Sequence, residues 1–216
     1  MTATATLRHT AQLPKPAWGL EPQERRGESA ARDFSGRRPG RPGREPRRVE
    51  RLDYAVSRLT VPVPDALDFT RRYEAAVPDL PLDAVRELVA RRAPWSEMKR
   101  LIGGAAPLGL FIYFRNDLGP VMQLAGDKSR CTAYLMGNHV IAERMFRYDP
   151  RAMMYAPLHT VIWEDREGRA WFTIDQPSAQ FGSFGIPEVS EVGLELDHKV
   201  AALLEALSVP VPDVLR

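Results

Sequence analysis

Within the 216-residue chain, the side chains able to move protons or grip a ligand crowd into one stretch: Asn138 and His139, then Tyr155 and His159, then Asp175 and Ser178, followed by Phe181 and Phe184. Histidine is the natural general acid or base near neutral pH and the commonest neutral metal or haem ligand. Asp175 ends an apolar run immediately before Gln176, Pro177 and Ser178. Strand ends that open into loops are where scaffolds set binding groups. The same carboxylate could instead be a turn former that accepts the N–H of Ser178. Asn138 is placed to cap a helix, and a helix start beside a loop also suits an anionic ligand group.

These residues support fewer chemistries than their types suggest. Ser178, His159 and Asp175 invite a hydrolase reading, but no Gly-x-Ser-x-Gly elbow presents the serine. No second histidine or cysteine stands at metal-ligand spacing from His139 or His159, so no metal site is expected. A single axial histidine leaves haem as a minor alternative, and no other cofactor is indicated. Phe181 and Phe184 alternate with Gly182 and Gly185, which suits either a lid over a ligand or a plug in the core or a dimer interface. Met145, Met153 and Met154 read as core or interface filler.

The elements that must position these groups follow from period and punctuation. Tyr54, Val56, Arg58, Thr60 and Pro62 alternate with Ala55, Ser57, Leu59, Val61 and Val63, which predicts a strand from about residue 52. Pro64, at the first helical position, opens a helix through Phe69, Tyr73 and Val77 that stops at Pro78. A second helix runs from Pro81 to the break at Pro94, and a third segment closes at Gly103 and Gly104. Residues 108–114 (LGLFIYF) read as a well-buried strand, 121–124 as its hairpin partner, and 130–135 as the next strand. Asn138 caps a helix over 139–146, and Pro150 restarts helix through Met154. Residues 158–164 and 169–174 form a hairpin, a loop of about a dozen residues follows, and Pro187 begins a long amphipathic helix.

Non-alternating strands and helices with a clear hairpin predict an α+β fold: two layers, a largely antiparallel sheet, and helices on one face. The single cysteine, Cys131, reads as a buried strand residue and not as a reactive thiol. Residues 1–50 hold eleven basic and six acidic side chains, so the remainder, despite a net charge of +2 for the chain, is mildly acidic. Rich in Pro, Gly and Arg, they are expected to be a disordered tail ahead of one domain over 51–210. Arg37, Arg38, Arg41, Arg44, Arg47 and Arg48 in this tail are the only feature that suggests nucleic acid, in the manner of minor-groove arginine arms. No signal-peptide core or membrane-length apolar run is present, and a cytoplasmic protein is expected.

The segments GNHVIAERM (137–145), YAPLHTVIWED (155–165) and FTIDQPSAQFGSFG (172–185), with LGLFIYFRNDLG (108–119) upstream, resemble the bacterial and archaeal family called domain of unknown function 302. The resemblance extends over roughly 54–207 and implies a small α+β domain without an assigned reaction. Two positions depart from it: His139 stands where the family pattern has proline after Gly-Asn, and His159 where it has arginine.

The reading is thus a small-ligand-binding α+β domain, expected to form a homodimer, whose pocket lies between the sheet and the helix starting at Asn138. Asn138, His139, Tyr155, Asp175, Ser178, Phe181 and Phe184 are its expected contacts. The alternative is an enzyme of a specialised metabolic pathway in which Asp175 or His159 is the general acid or base. Nucleic-acid contact through residues 1–50 is a third.

Overall fold

The computed structural model describes Val49 and residues 51–216, and residues 51–216 form one compact unit. The disordered-tail and arginine-arm expectations for residues 1–50 lie outside the described residues. The domain holds a five-stranded antiparallel sheet, β1 (Arg58–Val63), β2 (Phe111–Asp117), β3 (Cys131–Gly137), β4 (Leu158–Glu164) and β5 (Ala170–Asp175), in the order β1-β5-β4-β3-β2. Seven helices accompany it: α1 (Ala66–Ala76), α2 (Leu82–Ala90), α3 (Trp95–Gly103), α4 (Gly119–Gln123), α5 (His139–Phe146), α6 (Pro177–Gly182) and α7 (Pro187–Ala206), with 3-10 turns at Pro150–Met154 and Asp213–Leu215. The fold is α+β, as the patterning requires.

Period two decides which side of the sheet each residue serves. Val61, Val63, Ile112, Tyr134, Met136, Leu158, Ile162, Ala170, Phe172 and Ile174 point to one side, where α1, α5 and α7 close over them through Phe69, Tyr73, Ile141, Met145, Val189, Leu196 and Val200. Polar atoms in this core are paired. The buried Tyr73 hydroxyl meets Thr160 Oγ1 at 3.0 Å, and Tyr134 donates to Glu74 Oε1 at 2.8 Å, which in turn holds Arg115 Nη1 through Oε2 at 2.8 Å. Burial drives the Tyr73 hydroxyl pKa far above the ordinary phenol value, although its bond to Thr160 works the other way. A smaller cluster of Val85, Met98, Ile102 and Phe111 ties α2 and α3 to the β2 edge, where Leu80 N donates to Ile112 O and Ile112 N to Pro78 O, both at 2.9 Å.

Several boundaries differ from expectation for local reasons. β1 begins at Arg58 rather than near residue 52, because its partner β5 ends at Asp175, which faces Arg58. Helix α1 starts at Ala66, not Pro64: Asp65 is the N-cap and accepts from Asp68 N at 2.7 Å. β2 starts at Phe111, and its second half is exposed. Leu108 and Gly109 form a turn in which Gly109 has φ +68°, a conformation open to glycine. Residues 121–124 are not a strand. β3 occupies the whole antiparallel edge of β2, from Phe111↔Gly137 to Asp117↔Thr132, so the connection coils into α4 with Pro120 in its first turn.

The expected loop after β5 is likewise corrected, since it contains helix α6. Gln176, its N-cap, makes no capping bond of its own, and buried Asp197 from α7 supplies one in its place: Asp197 Oδ1 accepts Ser178 N and Oδ2 accepts Gln176 Nε2, each at 2.9 Å. Gly193 lets α6 approach this closely. A Cβ there would lie 3.0 Å from Phe181 Cβ and 3.1 Å from Ser178 Cα.

Candidate functional site

Among the described residues, no helix crosses the side of the sheet away from the core, apart from the α2–α3 pair over Phe111 at the β2 edge. Three rows of side chains cross it: Arg58, Asp175, His159, Leu135 and Phe114; then Thr60, Thr173, Val161, Ala133 and Asn116; then Pro62, Trp171, Trp163 and Cys131. All of these are half-buried or exposed, Cys131 included: it is a strand residue as expected but only half-buried, because its place in β3 turns it to the side away from the core. The β4–β5 ladder runs from Glu164↔Ala170 to Thr160↔Ile174, so His159 and Asp175 follow as the next facing residues on the same side. Two groups distant in sequence thereby become neighbours on adjacent strands.

Asp175 is not a turn former. Its carboxylate takes Arg58 Nε at 2.7 Å and Nη2 at 3.2 Å, a two-pronged pair across the β1–β5 register, while Ser178 N goes to Asp197. The carboxylate holds the Arg58 guanidinium further above its usual pKa. Beside the pair, Tyr54 donates its hydroxyl to that of Tyr155. This bond first, then burial, then the charges on Tyr155 and Asp175 push the Tyr54 pKa up to about 12. Tyr155 also meets Phe181 and Phe184 edge-on, with ring centres 6.2 and 6.0 Å apart. Arg58, Asp175, Tyr54, Tyr155 and Phe184 thus share one end of the sheet, with His159 next in the row.

The other expected contacts have structural occupations. Asn138 Oδ1 accepts Val140 N at 2.8 Å and Ile141 N at 3.2 Å, and its Nδ2 donates to Gly109 O at 2.7 Å. It caps α5 and staples that helix start to the turn before β2. His139 packs edge-on against Tyr113, ring centres 4.9 Å apart, and burial lowers its pKa below the ordinary 6.5. Ser178 Oγ accepts Gln176 Nε2 at 2.9 Å in the α6–α7 contact. Phe181 is fully buried, so it plugs the core instead of moving as a lid. The space between the sheet and α5, where a pocket was expected, is filled by Ile141, Met145, Leu158 and Met136. Among the methionines, Met145 is core and Met154 is exposed.

Arg58 and Tyr54 join this cluster although the sequence marks them only as strand residues; their even-numbered alternation with Thr60 and Pro62 puts them on one face. Asp197 interrupts the apolar stripe of α7, between Leu196 and Val200, which is the signal that marks it. A shallow cleft of about 320 Å³ lies elsewhere, between α2 and α3, over Leu88 and Leu101, with Arg91 paired to Glu97 at its wall. It touches none of the residues above. Among the described residues, no group of three or more His, Cys, Asp or Glu is arranged to hold a metal, and no helix is long and apolar enough to cross a membrane.

The family model of the domain of unknown function DUF302 matches residues 100–207, half of the chain. The chain belongs to the DUF302 family. In this DUF302 chain the match takes in β2 to β5 and all of α7, and leaves Tyr54 and Arg58 outside it. An uncharacterized conserved protein DUF302 from Bacillus stearothermophilus, known from its crystal structure, aligns with a TM-score of 0.47 at 13% identity, covering 70% of this chain and 97% of that one. No curated protein matches.

Proposed function

We propose that this DUF302 domain binds a small organic molecule at the end of the open sheet face, with Arg58, Asp175 and His159 on one side and Tyr54 and Tyr155 on the other. The observation that carries the reading is the two-pronged Arg58–Asp175 pair beside two hydroxyl-linked tyrosines at an exposed strand end. Such convergent polar groups next to aromatic surface orient a bound molecule. The ion pair offers further guanidinium donors for an anionic or carbonyl group, and Phe184 and Tyr155 offer ring surface. Native mass spectrometry of the purified protein tests this. A retained molecule that is lost in both Asp175→Ala and Tyr155→Phe supports the site, and undiminished retention in both variants rejects it.

A second reading has its own observation, the facing positions of His159 and Asp175. With its carboxylate held by two Arg58 N–H donors, Asp175 anchors the corner, and exposed His159 is the group that moves a proton on a bound substrate. Turnover should then fall about a hundredfold or more in His159→Ala. Activity indifferent to that change removes the enzyme reading.

A further inference from the structure

A solvated face of an antiparallel sheet is ordinarily built of polar residues alternating with the core set. The outer rows here depart from that rule. Leu135, Ala133 and Cys131 on β3, Val161 and Trp163 on β4, Trp171 on β5 and Phe114 on β2 are uncharged, and none is buried. Within these rows formal charge is confined to Arg58 and Asp175, which sit at one corner and neutralise each other; at the opposite end the Arg169 guanidinium lies over the Trp171 ring, 5.9 Å from its centre, with Asp165 as its counter-charge. Trp163 and Trp171 stack with centres 6.3 Å apart, and Trp163 Nε1 donates to Thr173 Oγ1 at 2.9 Å, so the indoles are fixed in place and internally satisfied. Aromatic enrichment with depleted charge at the centre is the composition of an interface core.

We infer that the open sheet face is a homodimer interface, in which a second copy of this chain packs face to face about a two-fold axis at Val161. Val161 is the middle residue of β4, and β4 is the middle strand of the sheet. A two-fold axis there sets valine against valine and uncharged rows against uncharged rows, the self-complementary arrangement that an isologous contact demands. Five strands about 4.8 Å apart and five residues at about 3.4 Å span roughly 24 by 17 Å, about 400 Å² of sheet, so the segments that flank the strands must supply the other half of the roughly 800 Å² that a standard interface takes from each partner. Residues 1–50, with eleven basic and six acidic side chains, have the wrong chemistry for this uncharged surface. The inference does not rest on ligand binding, although pairing would roof the Asp175 corner from one side.

Sedimentation velocity of the full chain at micromolar concentrations should show a dimer. Val161→Arg sets two like charges together at the axis and should weaken dimerisation by at least about a hundredfold, with unchanged circular dichroism. Val161→Cys in a Cys131→Ser background supplies a positive counterpart that keeps a small strand residue: sheets packed face to face stand about 10 Å apart, beyond the reach of a disulfide, so a short bismaleimide should link two chains through position 161, while Val89→Cys on exposed α2 should not link. A monomeric wild type overturns the inference. So does a dimer that survives Val161→Arg and fails to cross-link through Cys at 161 more than through Cys at 89.

Discussion

Asn138 tests whether the start of α5 is a structural staple or a ligand contact. Its side chain makes three bonds: Oδ1 to Val140 N and Ile141 N, and Nδ2 to Gly109 O. An N-cap is worth about 1 kcal/mol and a neutral hydrogen bond in a half-buried setting about as much again. Asn138→Ala should therefore cost about 2 kcal/mol, or roughly 4–8 °C of Tm for a domain of this size. Asn138→Ser keeps the cap and loses the Gly109 bond, for about 1 kcal/mol. Asn138→Asp also keeps the cap, gaining from the helix dipole, but turns a carboxylate toward the Gly109 carbonyl and should be no better than serine. Urea unfolding followed by circular dichroism ranks the three. An alanine variant within about 0.5 kcal/mol of wild type, or an aspartate as stable as asparagine, would refute the staple.

Gly193→Ala should destabilise by about 1 kcal/mol in the same assay, because the roughly 1 kcal/mol gain in helix propensity is outweighed by overpacking against Ser178 Cα and Phe181 Cβ; a stabilised variant would show that α6 moves aside freely. Burial raises the Asp165 pKa, but Arg169 N, Trp171 Nε1 and the Arg169 guanidinium outweigh it and bring it from 3.8 to about 2. A depressed carboxylate stabilises above its unfolded pKa, so this contribution is complete above about pH 4 and is lost as pH falls toward 2; Asp165→Asn should flatten acid unfolding in that window, and an unaltered profile counts against the hairpin clamp. Tyr54, pushed up to about 12, contributes stability that is complete below pH 10 and lost toward 12; Tyr54→Phe should remove a late-titrating phenol from the ultraviolet titration, and loss of an ordinary one instead contradicts the Tyr155 contact.

Period and punctuation made most of the framework legible. The 158–164 and 169–174 hairpin, the α5 cap and the long α7 stripe follow from alternation, an asparagine before an apolar helix, and i, i+3, i+4 spacing. The errors fall where a distant partner decides. Residues 121–124 have strand-like side chains, yet β3 had already taken the edge they needed. The Gln176–Gly185 stretch carries glycines and no capping residue of its own, and coils because Asp197, twenty-one residues after Gln176, supplies the cap. The site was half legible for the same reason. Asp175 was marked by its strand end, while its partner Arg58 comes from more than a hundred residues earlier and becomes visible only once β1 is known to pair with β5.

That ion pair separates the two proposals. Its side chains are 68% and 24% exposed, and surface pairs of this kind contribute little, about 0–1 kcal/mol. Stability alone gives little reason to keep it in rows of side chains that are otherwise uncharged. If it only neutralises the corner of an interface, Arg58→Leu with Asp175→Leu should preserve both fold and dimer. If it grips a ligand, the double variant should remain folded and dimeric but lose the retained molecule. Each single variant leaves one charge unpaired on the face and should weaken the dimer more than the double does. A double variant as weakly dimeric as the worse single one would refute neutralisation, because the penalty would then come from the lost side chains and not from the stranded charge.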